Sequence, residues 1–214
     1  MMAFALGDAA WLTGLERNAD VVNMNCYAPL FVNVNPGGRQ WAVNLIGYDA
    51  LNSFGSPSYY VQKMFANNRG DVVLAAKFDE LPMLTIQQIP IAPVPPPPAG
   101  TPPRGNGNGG GRGDLGPFDG LYVSATRDTA SGDVILKLVN IQERAQPLEI
   151  DLRGAGAVRK DAAGEMLTGA LGDVNTVAEP MKVVPKLFTI KDAGSSFAHE
   201  LPAHSVSVIR LKTR

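Results

Sequence analysis

Thr13-Gly14-Leu15-Glu16-Arg17-Asn18, Cys26-Tyr27-Ala28-Pro29-Leu30-Phe31-Val32-Asn33-Val34-Asn35, Trp41 and Gly55-Ser56-Pro57-Ser58-Tyr59-Tyr60-Val61-Gln62 set the pattern of the first third of this chain. Upstream of them, Phe4, Gly7, Trp11 and Leu15 recur at helical spacing, which predicts a helix over 3–17 with these residues on one face and Asn18 at its end. Residues 21–32 are dense in apolar side chains (Val21, Val22, Met24, Cys26, Tyr27, Leu30, Phe31) and read as a strand covered on both faces. Residues 33–55 are rich in Asn and Gly, contain Pro36-Gly37-Gly38, and read as loop. Ser56-Pro57 is a helix start, because Ser accepts from orphan amides and Pro fits the first turn. Val61, Met64 and Phe65 continue the stripe, and Gly70 closes the helix. Helix, strand, long loop, helix is the repeating unit of a (β/α) barrel, whose functional residues lie in the loop after the strand. One such unit has no neighbours for its strand edges or helix faces, so residues 1–70 are expected to form an incomplete, partly exposed apolar layer.

From Asp71 the period changes to two. Val72-Val73-Leu74, Leu121-Tyr122-Val123, Val134 to Val139, Leu148 to Leu152, Val183-Val184 and Val206 to Ile209 read as strands, with Asp128-Thr129-Ala130-Ser131-Gly132 as a hairpin turn. Many short strands joined by turns predict a β-sandwich. The stretch at about 92–117 interrupts them. Pro93-Val94-Pro95-Pro96-Pro97-Pro98 should be stiff and extended, and Gly105-Asn106-Gly107-Asn108-Gly109-Gly110-Gly111 flexible. It is either an interdomain linker or an enlarged loop within the sandwich. The strand pattern already running from Asp71 favours the loop.

The chain has 214 residues, 45% hydrophobic, and a formal net charge of −1, enough for one or two small domains. Near-neutral charge supplies no attraction to nucleic acid or an anionic membrane. The longest apolar runs fall short of the roughly 20 residues a spanning helix needs. Met1 to Leu6 is too short and lacks the basic residues of a signal peptide. Cys26 is the single cysteine and reads as a small buried hydrophobe.

The N-terminal motifs, in their order and spacing, resemble the last part of the catalytic barrel of glycoside hydrolase family 51 α-L-arabinofuranosidases. Gly70-Asp71-Val72-Val73-Leu74, Leu121 to Ala125, Ser131 to Lys137, Leu167-Thr168-Gly169 and Lys182-Val183-Val184-Pro185-Lys186 are similar to successive pieces of that family's C-terminal domain. The resemblance implies an α/β fragment, the last elements of a TIM barrel, over 1–70, and an all-β jelly-roll-like sandwich over 71–214. It implies a parent enzyme that is retaining and exo-acting. That enzyme releases terminal α-L-arabinofuranosyl groups from arabinan or arabinoxylan and uses no metal or organic cofactor. Its partner is an arabinose-containing poly- or oligosaccharide. The family is often secreted, and the compartment of this chain stays open.

Retaining hydrolysis needs two carboxyl groups roughly 5–5.5 Å apart. In the family they stand in an Asn-Glu pair and a Gly-Glu-Tyr-like context. Neither occurs here, since Gly164-Glu165 is followed by Met166. Glu16 reads as a pairing or capping residue, and no residue is assigned a catalytic role. His199 and His204 stand without Cys or carboxylate partners at ligand spacing, so no metal site is expected. His204, in Leu201-Pro202-Ala203-His204-Ser205-Val206, resembles a structural segment entering the family's last sandwich strand. The resemblance makes Asn44 and Trp41 the substrate-binding candidates. Asn44 stands where the family has a polar residue near the arabinose hydroxyls, and Trp41 offers a sugar ring an apolar face. Asn33 and Asn35 are expected to hold loop backbone.

The chain is therefore expected to be the C-terminal portion of an arabinofuranosidase-like glycoside hydrolase, inactive alone and self-associating through its exposed barrel fragment. The alternative is a non-catalytic carbohydrate-binding or accessory β-sandwich. The β half has only Phe78, Phe118, Tyr122, Phe188 and Phe197 as aromatics, a poor supply for the exposed platform that alternative needs.

Overall fold

A computed structural model of the chain describes residues 1–38, 44–84 and 117–213. Trp41, and all but the last residue of the Pro/Gly-rich stretch at 92–117, lie outside the described residues. Among the described residues the chain is mostly β-sheet with two α-helices, α1 (Met2–Arg17) and α2 (Pro57–Asn67). The α2 start follows its sequence signal: the Ser56 hydroxyl accepts from the Tyr59 amide at 3.2 Å.

Three short strands, β1 (Phe31–Asn33), β2 (Ile46–Tyr48) and β3 (Ser53–Gly55), form a small sheet. β1 and β2 are parallel, and β2 and β3 antiparallel. The remaining strands are β4 (Val72–Leu74), β5 (Met83–Leu84), β6 (Phe118–Asp119), β7 (Leu121–Arg127), β8 (Val134–Asn140), β9 (Gln146–Asp151), β10 (Ala162–Thr168), β11 (Lys186–Ile190), β12 (Ser196–Leu201) and β13 (Ser205–Leu211). Six of them form an antiparallel sheet in the order β11-β10-β13-β8-β7-β4, while β9 pairs with β12 and β5 with β6.

The large sheet is covered on both faces, and the period of two decides which residues go where. Ile135, Val139, Val206 and Val208 meet Met2, Ala5, Leu6 and Ala9 of α1 and Val61, Met64 and Phe65 of α2. Val134, Leu136, Leu138, Ile209 and Leu211 point the other way and pack with Phe197 and Leu201 of β12. Every residue of β8 is therefore buried. The result is three layers: two helices, a six-stranded sheet, and a two-stranded ladder.

Four expectations are corrected here. First, the buried face of α1 carries Met2, Ala5, Leu6, Ala9, Leu12 and Thr13, with Leu15 half-buried against the same core, while Phe4, Gly7 and Trp11 are exposed. Trp11 is 70% exposed. Alanines contribute little to a hydrophobic pattern, yet they are what lets a helix approach a sheet closely. Second, the covered strand expected over 21–32 is reduced to Phe31–Asn33. Val21 and Met24 are 72% and 85% exposed, and Cys26 is exposed. β2 is the strand paired with this segment among the described residues, so the apolar side chains before Leu30 have no layer to enter. Third, the loop expected over 33–55 contains β2 and β3, whose turn is closed by Asp49 accepting from the Leu51 and Asn52 amides at 2.8 and 2.7 Å. Fourth, Val183-Val184 is not a strand. Val183 sits in a loop, and the strands around it, β10, β11 and β12, escaped the sequence pattern. In β10 the ring of Phe188 lies where a Cβ on Gly164 would stand, 2.4 Å away, so only glycine fits that register.

The helices also cover what was expected to be bare. Their apolar stripe rests on the large sheet, and polar groups fasten it. Lys137 projects from β8 toward the helices, fully buried, and pairs with Glu16 of α1. The Ser124 hydroxyl donates to the other Glu16 oxygen at 2.6 Å, and the Lys137 ammonium lies 4.7 Å from the centre of the Phe65 ring. Burial pushes the Lys137 ammonium pKa down, and Glu16 opposes that shift. Arg17 donates to the Val123 carbonyl at 2.6 Å. In α2, the Asn68 cap donates to Glu165 at 2.7 Å and accepts from Arg210 at 3.0 Å.

Between the two helices lies a second polar contact. Burial pushes the Asp8 carboxyl above its ordinary range, opposed by hydrogen bonds from Ser58 and Tyr27 and by the Met1 amino group. Its Oδ2 has no hydrogen-bond partner among the described residues. A carboxyl whose folded pKa is raised holds its proton more tightly in the folded state. Stability is then highest below the unfolded value and falls as pH rises through the raised one. We predict that Asp8→Asn, which keeps an acceptor for Ser58 and Tyr27, raises Tm at pH 7 by roughly 2–4 °C, the shift of about 1 kcal/mol in a domain of this size. The gain should vanish below pH 4. A thermal unfolding series across pH checks this, and an equal effect at every pH contradicts it.

Candidate functional site

Asn44, the described member of the substrate-binding pair, is buried. It precedes β2, and the local backbone fixes its place. The Ile46 amide donates to the Leu30 carbonyl at 2.9 Å, and the Ser56 amide to the Leu45 carbonyl at 2.8 Å. Asn44 thus stands between the strand that leads into the loop and the start of α2. Gly47 is required behind it, because a Cβ there would lie 2.3 Å from the Phe54 ring.

Asn44 lines a cavity of about 490 Å³ that lies against Val32 of β1 and Gly47 of β2 and continues past the C-terminal end of β1 along Val34, Asn35 and Pro36. Its polar lining includes Asn35, Asp49, Ser56, Asn175 and Thr176. Asn33 behaves as the sequence suggested: its side chain accepts from the Asn35 amide at 3.0 Å. Asp49 is held by its turn, and those hydrogen bonds lower its carboxyl pKa. Asn175 and Thr176 come from the loop between β10 and β11, more than a hundred residues from Asn44. No local sequence signal marks them.

A wider groove of about 940 Å³ runs beside α1, lined by Trp11, Arg17, Phe118, Tyr122, Arg144 and His204 among others. His204 has a positive φ of 46°, and its amide donates to the Gln142 carbonyl at 3.1 Å. Burial pushes its imidazole pKa down. It shapes the turn into β13, as its sequence context suggested.

Retaining glycoside chemistry needs paired carboxyls. Among the described residues, Asp49 is the carboxylate lining the first cavity and Glu143 the one lining the second. Glu16 is engaged by Lys137 and Ser124. Groups of three or more His, Cys, Asp or Glu suited to a metal ion are absent among the described residues. The lining of the first cavity can accept and donate hydrogen bonds to a small polyol.

The chain is 29% identical over 213 residues to α-L-arabinofuranosidase 2 of Arabidopsis thaliana, covering 98% of this chain and 26% of the relative. It is 28% identical over 211 residues to a probable α-L-arabinofuranosidase A of Aspergillus niger, covering 97% and 26%. An arabinose-bound GH51 α-L-arabinofuranosidase structure superposes with a TM-score of 0.77 at 34% identity, covering all of this chain and 28% of that one. The chain spans about a quarter of the length of the relatives it matches. The family model described as the alpha-L-arabinofuranosidase C-terminal domain matches residues 1–205, and the chain belongs to that family.

Proposed function

We propose that this chain is the C-terminal part of a retaining α-L-arabinofuranosidase that releases terminal arabinofuranosyl groups from arabinan- or arabinoxylan-type saccharides. Residues 1–70 are the last elements of its (β/α)8 catalytic barrel, and residues 71–214 its C-terminal jelly-roll-like sandwich, with the Pro/Gly-rich stretch an enlarged loop of that sandwich. The pairing of β5 with β6 on either side of the stretch supports the loop reading. Asn44 and Trp41 contact the arabinose ring. The observation that carries this reading is the cavity that continues past the C-terminal end of β1, where barrel enzymes keep their sites, with Asn44 in its wall. The two carboxylates come from the part of the enzyme outside these residues.

General acid catalysis alone contributes on the order of 10²–10⁴-fold, and without either carboxylate both proton donation and nucleophilic attack are lost. The purified chain is predicted to show no turnover of aryl α-L-arabinofuranosides above background. Turnover that disappears when one of its own glutamates is replaced contradicts the reading.

The segment leading into β1 is exposed at Val21, Met24 and Phe31. In the proposed enzyme it meets the rest of the barrel, and in the isolated chain it drives self-association. Light scattering is expected to give a mass above that of a 22.7 kDa monomer, and Met24→Ser with Phe31→Ser to lower it. A monomer at all concentrations contradicts the assignment.

A further inference from the structure

The cavity holding Asn44 is closed on one side by the sandwich. The loop between β10 and β11 reaches over the N-terminal ends of both helices. It first caps α1: the Met2 amide donates to the Asp173 carbonyl at 2.8 Å, and the Ala3 amide to the Leu171 carbonyl at 3.0 Å. These are orphan donors of a first helical turn, which need partners from outside the helix. The loop is itself braced. Asp173 accepts from the Ala170 amide at 2.9 Å and pairs with Lys182 at 3.0 Å.

Asn175 then makes the second connection. Its side chain is buried. Its Oδ1 accepts from the Val183 amide at 2.7 Å, and its Nδ2 donates to the Val183 carbonyl at 2.9 Å and the Gly55 carbonyl at 2.8 Å. An amide NH2 has two hydrogens, so both are in use. Gly55 is the last residue of β3, and a Cβ there would lie 2.4 Å from the Tyr59 ring. The next residue, Ser56, caps α2 and donates its amide to Leu45, the neighbour of Asn44. One side chain of the sandwich is thus linked in three steps to Asn44, and both line the same cavity.

We propose that Asn175 is a positioning residue for arabinose recognition. From the sandwich it holds the Gly55–Ser56 backbone, and through it the placement of Asn44, while residues 174–178 form one wall of the sugar pocket. The inference rests on the reading of Asn44 given above. It makes the sandwich a component of the binding site and not only a partner to the barrel.

Asn175→Asp separates this role from a general loss of structure. As a carboxylate it keeps an acceptor for the Val183 amide and gives up both donated hydrogens, those to the Gly55 and Val183 carbonyls. The first measurement is hydrogen exchange on the full chain. Amides of Ile46 and Ser56, which donate to Leu30 and Leu45, should exchange about tenfold faster in Asn175→Asp, the factor for about one lost hydrogen bond, with β8 and β13 unchanged. The second is steady-state kinetics of the intact enzyme carrying this chain, with an aryl α-L-arabinofuranoside. Asn175→Asp and Asn44→Ala should each raise KM about tenfold at nearly constant kcat, the pattern of a lost uniform binding contact. Unchanged exchange over 44–56 overturns the proposal, as does a KM that responds to Asn44→Ala but not to Asn175→Asp. If Asn44→Ala leaves KM alone, the reading of Asn44 falls and the positioning role of Asn175 falls with it, whereas a failure confined to Asn175→Asp overturns only the positioning role.

Discussion

Lys137 sits in the middle of a strand buried from end to end, with its ammonium on the face of the sheet that meets the helices. A buried ammonium is tolerated only when paired and hydrogen-bonded. Glu16, the last-turn carboxylate of α1, supplies the charge; Ser124 holds that carboxylate, and the Phe65 ring of α2 lies beside the ammonium. Four elements therefore meet at one point. The ion pair fixes the register of α1 along the sheet, because a helix shifted by one turn would leave both charges unpartnered. The apolar contacts around it, from Met2 to Leu12 and from Val61 to Phe65, depend on that register.

This arrangement changes how the two halves of the chain relate. The sequence pattern suggests an α/β piece followed by an independent sandwich. The outer face of the large sheet is in fact a core surface, made by Ile135, Val139, Val206 and Val208 and closed by the two helices. Removing residues 1–70 would uncover that face and strand Lys137. The apolar surface left exposed lies elsewhere, on Trp11 and on the segment from Val21 to Phe31.

Much of this was legible in the residues, and the failures have physical reasons. α2 was readable because Ser56-Pro57 is a local signal whose meaning does not depend on the rest of the fold. β8 and β13 were readable because their Val, Ile and Leu residues dominate the strand pattern of the second half despite Lys137 and Ser207. The extent of α1 was readable, but its buried face was not, because small residues decide a close helix–sheet approach and aromatic residues dominate the pattern. β10 was hidden by Gly164 and Glu165, which serve a neighbouring ring and a helix cap. Family resemblance pointed to Asn44 as a candidate and offered nothing for Asn175. Its partner Gly55 lies 120 residues away, and a sequence pattern carries no trace of such a contact.

The central claim is that the Glu16–Lys137 pair joins helix layer and sheet into one cooperative unit, and denaturant unfolding of two variants tests it. Glu16→Ala leaves Lys137 buried and unpaired and is expected to lower stability by about 3 kcal/mol, the lower end of the range for breaking a buried pair because Glu16 is partly exposed. Adding Lys137→Met to the same chain removes the stranded charge and should restore most of that loss. Glu16→Ala within about 0.5 kcal/mol of the unaltered chain, the range of an ordinary surface substitution, would contradict the account.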